Sequence, residues 1–219
     1  ERMEHEIKPS ESLPVGLLLA MAGGILDAYT YLVRGEVFAP ADTGHLVLLG
    51  ITLSQGRLNE AAYYLWPILA FAAGVLAAEL LHLHFERRPV GLHWRQSILL
   101  AECVVLAVVS LIPTGSLDSL ANVLIAFTSA VQIESFRQFD GCGCATTMCT
   151  GNLRSGTEFL FRRVVRGERT ASGKARLYYG LILSFVTGAV VSGLLSGSFG
   201  EKTVLLAVVP LGIAFAKMF

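Results

Sequence analysis

The chain has 219 residues, 53% of them hydrophobic and 16% charged, with a mean hydropathy of +0.60; soluble domains carry about 25% charged residues, so the composition argues against one and for a polytopic membrane protein. Seventeen basic and seventeen acidic residues leave a formal net charge of zero, and no nucleic-acid partner is expected. Four cysteines behind an acidic start (Glu1, Glu4, Glu6), with no cleavable-looking signal, argue against a secreted disulfide scaffold.

In chain order, a polar tail over 1–12 leads into an apolar stretch over 13–33. A bilayer core about 30 Å thick takes roughly 20 apolar residues of helix. Five more stretches approach that length, at 61–85, 96–112, 117–139, 177–198 and 204–219. The predicted fold is all-α, a polytopic membrane protein with six transmembrane helices. Pro113-Thr114-Gly115 turns the chain between the third and the fourth. Two further helical patterns are not built to span: 44–54 is too short, and 151–165 is interrupted by Arg154, Arg162 and Arg163. The first residue is Glu1 and not Met, which leaves the completeness of the N-terminus open.

Lys and Arg accumulate on the cytoplasmic side of membrane proteins. With the N-terminus inside, fourteen basic residues fall in cytoplasmic segments: Arg2 and Lys8, then Arg87, Arg88 and Arg95, then eight from Arg137 to Arg176, then Lys217. Only Arg34, Arg57 and Lys202 fall outside. Both termini are therefore expected in the cytoplasm.

The chain also echoes itself. Asp27-Ala28-Tyr29 matches Glu134-Ser135-Phe136 as acid, small, aromatic, and Thr43-Gly44-His45-Leu46 matches Thr150-Gly151-Asn152-Leu153, each 107 residues on. Phe71-x-x-Gly74 returns as Phe185-x-x-Gly188, seven residues later than that offset. The halves 13–112 and 117–219, joined by an extracytoplasmic turn over 113–116, each read as span, broken connection, short helix, span, span. Three spans per half would insert the second copy upside down. Secondary transporters built from inverted repeats hold their sites at the repeat interface. A chance match of short motifs is the plainer alternative.

The segment GGILDAYTYL, the 38–50 segment with its Thr-Gly-His, and the later Thr-Gly-Asn resemble the YoaK-type membrane proteins, domain-of-unknown-function family 1275. The resemblance covers nearly the whole chain. It implies a multi-pass protein of the bacterial inner membrane with about six spans, and it brings no biochemical activity with it. The chain departs from the family at His45, where Asn is commoner, and in the cysteine-rich run over 141–149.

A carboxylate inside a span costs about 2.5–3.5 kcal/mol on insertion scales, so Asp27 and Glu134 call for a use. They are candidates, with Tyr29, to bind protons or a cation as the halves alternate. Alternatively each braces its own broken helix, and Arg137, three residues on, offers Glu134 a partner. Asp42 or Thr43 is placed to cap the first short helix and Thr150 the second, while Gly44 and Gly151 let another group approach the backbone. A half-helix N-terminus presents N–H donors and partial positive charge, to a substrate anion or to Asp27 and Glu134 themselves. His45 and Asn152 are read at the second helical position, facing the same space. An unperturbed His titrates near neutral pH. Glu79 and Glu102, each roughly 10 Å of helix from the cytoplasmic end, form a second acidic pair. They are read as a proton path, or as partners of Arg87, Arg88 or Arg95.

Cys142, Cys144 and Cys149 lack the C-x₂-C spacing of zinc sites, and His82 and His84 point to different sides of a helix, so neither metal nor cofactor is expected. Gly180, Ser184, Gly188, Ser192 and Ser196, like Ala70, Gly74 and Ala78, recur every four residues as packing seams. A cytoplasmic amphipathic helix over about 151–166 would set Leu153, Leu160, Phe161 and Val164 toward the membrane among anionic headgroups.

No Ser-His-Asp arrangement, HExxH or nucleotide-binding loop is read, which argues against an enzyme and against a primary pump. The leading expectation is a secondary transporter of an unidentified small molecule, with its site at the repeat interface and proton coupling. A channel or passive facilitator, a membrane-embedded enzyme using His45 and the cysteines, and a non-transporting scaffold are the alternatives. The expected partners are the lipid bilayer and a small-molecule substrate of undetermined charge, and homo-oligomerisation is left open.

Overall fold

The computed structural model describes residues 8–87 and 94–219. Arg2 and Arg88, counted above toward the topology, lie outside the described residues, with Glu1, Glu4, Glu6 and the side chains of Glu86 and Arg87. The helices are α1 (Leu13–Val33), α2 (Asp42–Ser54), α3 (Leu58–Arg87), α4 (Trp94–Val109), α5 (Asp118–Ser135), α6 (Cys149–Val164), α7 (Ala171–Phe199) and α8 (Val208–Lys217). A 3-10 turn over Pro9–Glu11 precedes α1, and a 3-10 segment over Gly200–Ala207 leads from α7 into α8. The fold is all-α except for a small antiparallel hairpin of β1 (Gln138–Phe139) and β2 (Cys142–Gly143). Its tight turn places Asp140 and Gly141 at positive φ, 45° and 71°. By length and apolarity alone, three described segments suffice to cross a membrane: Leu13–Val33, Leu58–Phe85 and Ala171–Lys217.

Contacts at the helix ends fix their relative directions. At the near end, where α1 begins, the Leu13 N–H donates to Asp140 Oδ1 at 3.2 Å, so α5 and its hairpin finish there. Arg95, entering α4, donates to Ser10 and Glu11 at 2.8 Å each. Burial pushes the Glu11 carboxyl up, but the hydrogen bond and charge of Arg95, with Gln138 and Lys8, outweigh it and hold the group below its ordinary range. At the far end, Arg34 after α1 meets the end of α4 and the start of α5. Tyr63, early in α3, donates to the Arg34 carbonyl at 3.3 Å, while Glu79, further along α3, pairs with Arg137 at the near end. Thus α1, α4 and α7 run from near to far, and α3 and α5 run back.

The two most extensive packings are α1 along α7 and α3 along α5, with α2 carried on α3 and α6 on α7. Glycine permits both. A Cβ on Gly188 would come within 2.1 Å of the Met21 carbonyl, and one on Gly74 within 2.5 Å of the Phe127 carbonyl. Ser184 Oγ adds a 2.6 Å hydrogen bond to the Leu17 carbonyl along the first seam. Backbone approach of this kind is the packing that small residues allow between apolar helices. The main core, with Leu19, Leu26, Leu99, Ile125, Leu181 and Leu211 fully enclosed, draws α1, α4, α5, α7 and α8 together.

Candidate functional site

Both short helices begin among buried residues and run back beside the long helix that follows. Thr43 and Thr150 are each the second residue of their helix, and His45 and Asn152 each the fourth rather than the second. The helices start at Asp42 and Cys149, with Ala41 and Met148 at the N-cap positions and no side-chain cap hydrogen bond. The expected caps are therefore corrected: Thr43 and Thr150 already have helical backbone, which puts them past the position from which a hydroxyl caps. A Cβ on Gly44 or Gly151 would meet nothing within 4 Å, so the close approach expected at these glycines is not made among the described residues.

His45 is buried, its ring lies beside the Phe38 backbone, and the Tyr64 ring centroid is 6.3 Å from its own. Asn152 is also buried, but its Nδ2 donates to the Ala145 carbonyl at 2.7 Å.

Asp27, on α1, is 7% exposed, and its Oδ1 has no hydrogen-bond partner. No hydrogen bond joins its carboxylate to Thr43 or His45 of α2, the short helix that follows it in sequence. The segment leading into α6 lies beside it instead. The Thr147 methyl sits 2.6 Å from where a Cβ on Gly23 would be, and Cys149 is within electrostatic range of Asp27. The Thr146 and Thr147 hydroxyls are also buried and unpartnered. The reason lies in packing: α1 runs along α7, and α7 carries α6, so the acid of the first half meets the N-terminal end of the short helix of the second. Buried polar atoms are normally hydrogen-bonded, and here a carboxylate oxygen and two hydroxyls are open to a polar group or ion.

The other acids sit elsewhere. Glu134 pairs with Arg137, just beyond the end of its helix, and Arg137 also pairs with Glu79. These three, with His82, Arg95 and Gln138, line a charged cleft of about 360 Å³ at the near end. Glu102 is not in that cleft. It is 2% exposed and faces a separate apolar cavity, so the structure groups Glu79 with Glu134 and leaves Glu102 apart. Asp27 and Glu134, matched in sequence, stand in unlike surroundings.

Tyr29 serves Arg34, the residue that sequence reading missed. Arg34 is fully buried, and all five of its N–H groups are used. Nε donates to Tyr29 Oη at 2.7 Å, Nη1 to Asp118 Oδ1 at 3.0 Å and the Pro113 carbonyl at 3.2 Å. Nη2 donates to the carbonyls of Ile112 at 2.7 Å and Val109 at 3.2 Å. Asn122 Nδ2 donates to the Arg34 carbonyl at 2.9 Å. Four helices are tied together there. In sequence Arg34 reads as one more loop charge. The hairpin had a usable signal, the Asp140-Gly141 dipeptide typical of tight hairpin turns.

All four cysteines are free thiols, and the Cys144 Sγ–H points to the Cys142 carbonyl at 3.4 Å. On α6, Phe159 stacks on Tyr178 of α7 with ring centroids 5.9 Å apart, while Leu153, Leu160, Phe161 and Val164 are exposed.

Residues 15–216 match the model of the family described as "Protein of unknown function (DUF1275)". Over 190 residues the chain is 24% identical to the UPF0700 transmembrane protein YoaK of Bacillus subtilis (strain 168), a match that covers 83% of each chain. No solved structure matches.

Proposed function

The chain belongs to the DUF1275 family, and from that premise we propose that it is a secondary transporter of a small molecule, with Asp27 as its coupling carboxylate. Its apolar helices and its transmembrane relative make it a membrane protein. Transport is the finer reading, and one observation carries it: a buried carboxylate with an unpartnered oxygen, lodged where α1 of one half meets the entrance to α6 of the other. An acid in such a place persists most readily when an ion, proton or substrate visits it.

Several features support two inverted repeats around that acid. The short helices start 107 residues apart, at Asp42 and Cys149. Gly74 and Gly188, equivalent by motif, each lie over a carbonyl of the first helix of the opposite half, Phe127 and Met21. The matched helices α1 and α5 run in opposite directions. We read six spans, both termini in the cytoplasm and the bacterial inner membrane as the location. The near end is the cytoplasmic one, because Arg95, Arg137, Lys174 and Arg176 gather there.

The test is flux. In proteoliposomes loaded with a pH-sensitive dye, a panel of small molecules should include one whose entry moves protons under an imposed pH gradient. Asp27→Asn protein should fold and bring that movement to background. Asp27→Asn protein of normal thermal stability and undiminished pH-driven flux would reduce Asp27 to a brace.

A further inference from the structure

Between α3, α4 and α5 lies a cavity of about 320 Å³ that the transport reading does not use. Its walls are apolar, among them Leu81, Phe85, Ile98, Phe127 and Val131, and among the described residues no Lys, Arg or His lines it. One carboxylate does: Glu102, which is 2% exposed. With the Gln132 amide turned so that its nitrogen faces this acid, Nε2 donates to both Glu102 oxygens at 2.9 and 3.1 Å. That orientation is assigned from the acceptor-only surroundings, and it fixes the acid in place without supplying a counter-charge. Thr128, also in the wall, spends its hydroxyl on the carbonyls of its own helix, Leu124 at 3.1 Å and Ile125 at 3.2 Å. Leu81 and Ala101 at the rim are exposed, so a molecule dissolved in the bilayer has a lateral way in.

We infer that this cavity is a binding site for a lipophilic amine, its apolar body against α3 and α5 and its ammonium on Glu102. The size suits a small drug-like molecule, and a mainly apolar pocket with few polar groups is the usual form of such sites. The charge decides the class. A buried carboxylate is costly unless paired; Gln132, behind the wall, offers it one amide, and the described lining offers no cation. An ammonium brings both the missing charge and the donors. An acyl chain or a neutral alcohol would fill the volume and leave the acid as it was. Binding at Glu102 is independent of transport through Asp27, so a protein inactive in every flux assay still tests it.

The probes are 4-phenylbutylamine and its neutral counterpart 4-phenylbutan-1-ol, titrated calorimetrically into the protein in lipid nanodiscs, with empty nanodiscs subtracted. The amine should bind at least about tenfold tighter than the alcohol, the factor that a charge-assisted hydrogen bond confers. Glu102→Gln keeps the shape and should bring the two to within about twofold of each other. Ala101→Phe, which fills the cavity from its exposed wall and leaves Glu102 intact, should abolish binding of both, and it decides the matter if Glu102→Gln does not fold. Equal binding of amine and alcohol by the native protein would mean a cavity for acyl chains and overturn the assignment. Amine binding unchanged in Glu102→Gln or in Ala101→Phe would overturn it as well.

Discussion

Two buried charges, Arg34 and Asp27, show how differently a membrane protein uses an ionisable side chain. Arg34 has every donor occupied, and its charge is met by Asp118 at 3.0 Å. Removing one partner of a buried pair typically costs about 3–5 kcal/mol because the other is left uncompensated. Arg34→Ala should therefore lose stability of about that size, and Tyr29→Phe about 1.5–3 kcal/mol, the value of a hydrogen bond to a charged group. Thermal unfolding in detergent checks both; an Arg34→Ala protein as stable as the native one would show that the far end is held by something else. Asp27 is the opposite case, since its Oδ1 accepts nothing. Asp27→Asn removes a buried charge without breaking a bond at that oxygen. Its melting temperature should be no lower than that of the native protein, even as coupled flux disappears. Asp27 was legible in the sequence because an acid within an apolar run is rare. Arg34 was not, because a charge just beyond a span looks like an ordinary loop residue until the fold closes four helices around it.

At the scale of elements, the helices and their seams were the legible part. Apolar length located the long helices, and the Thr-Gly pairs located the start of both short ones to within two residues. What each glycine does was only half readable. Small residues every four positions correctly marked Gly74 and Gly188 as contact points, whereas the Thr-Gly glycines, chosen by the same logic of close approach, face open space. Spacing reveals a seam, but a single glycine carries no record of its neighbour. The difference is measurable. Gly188→Ala and Gly74→Ala would each gain about 0.8–1.0 kcal/mol of helix propensity. They would also drive a methyl group into backbone at 2.1 and 2.5 Å. Overpacking costs about 1–3 kcal/mol, and the rigid carbonyl cannot move aside, so both substitutions should destabilise. Gly44→Ala and Gly151→Ala should be neutral or stabilising by up to about 1 kcal/mol. The reverse order of melting temperatures would mean that the seams are looser than their geometry.

For the whole molecule, the decisive quantity is how many times the chain crosses the bilayer and in which direction. The alternating helix directions suit six crossings, yet α4 has only 16 residues, or about 24 Å of helix against a core of about 30 Å. Three exposed positions separate the alternatives: Asn59 at the start of α3, Ser116 in the turn between α4 and α5, and Thr170 before α7. On the six-span reading, α4 and α5 both cross, so Asn59 and Ser116 lie outside. The three crossings of α3, α4 and α5 then put Thr170 inside, with the basic residues of α6 and its flanks. In a variant with its four native cysteines replaced by Ser, single cysteines at these sites are treated on intact cells with a membrane-impermeant maleimide. Asn59→Cys and Ser116→Cys should label, and Thr170→Cys should label only after the cells are opened. The mirror pattern would reverse the orientation and leave the span count intact. Protection of Ser116 together with Thr170, with Asn59 still labelled, would mean that α4 and α5 dip without crossing. Labelling of Asn59 and Thr170 from the same side would require an even number of crossings between them, which no pair of inverted three-span repeats allows.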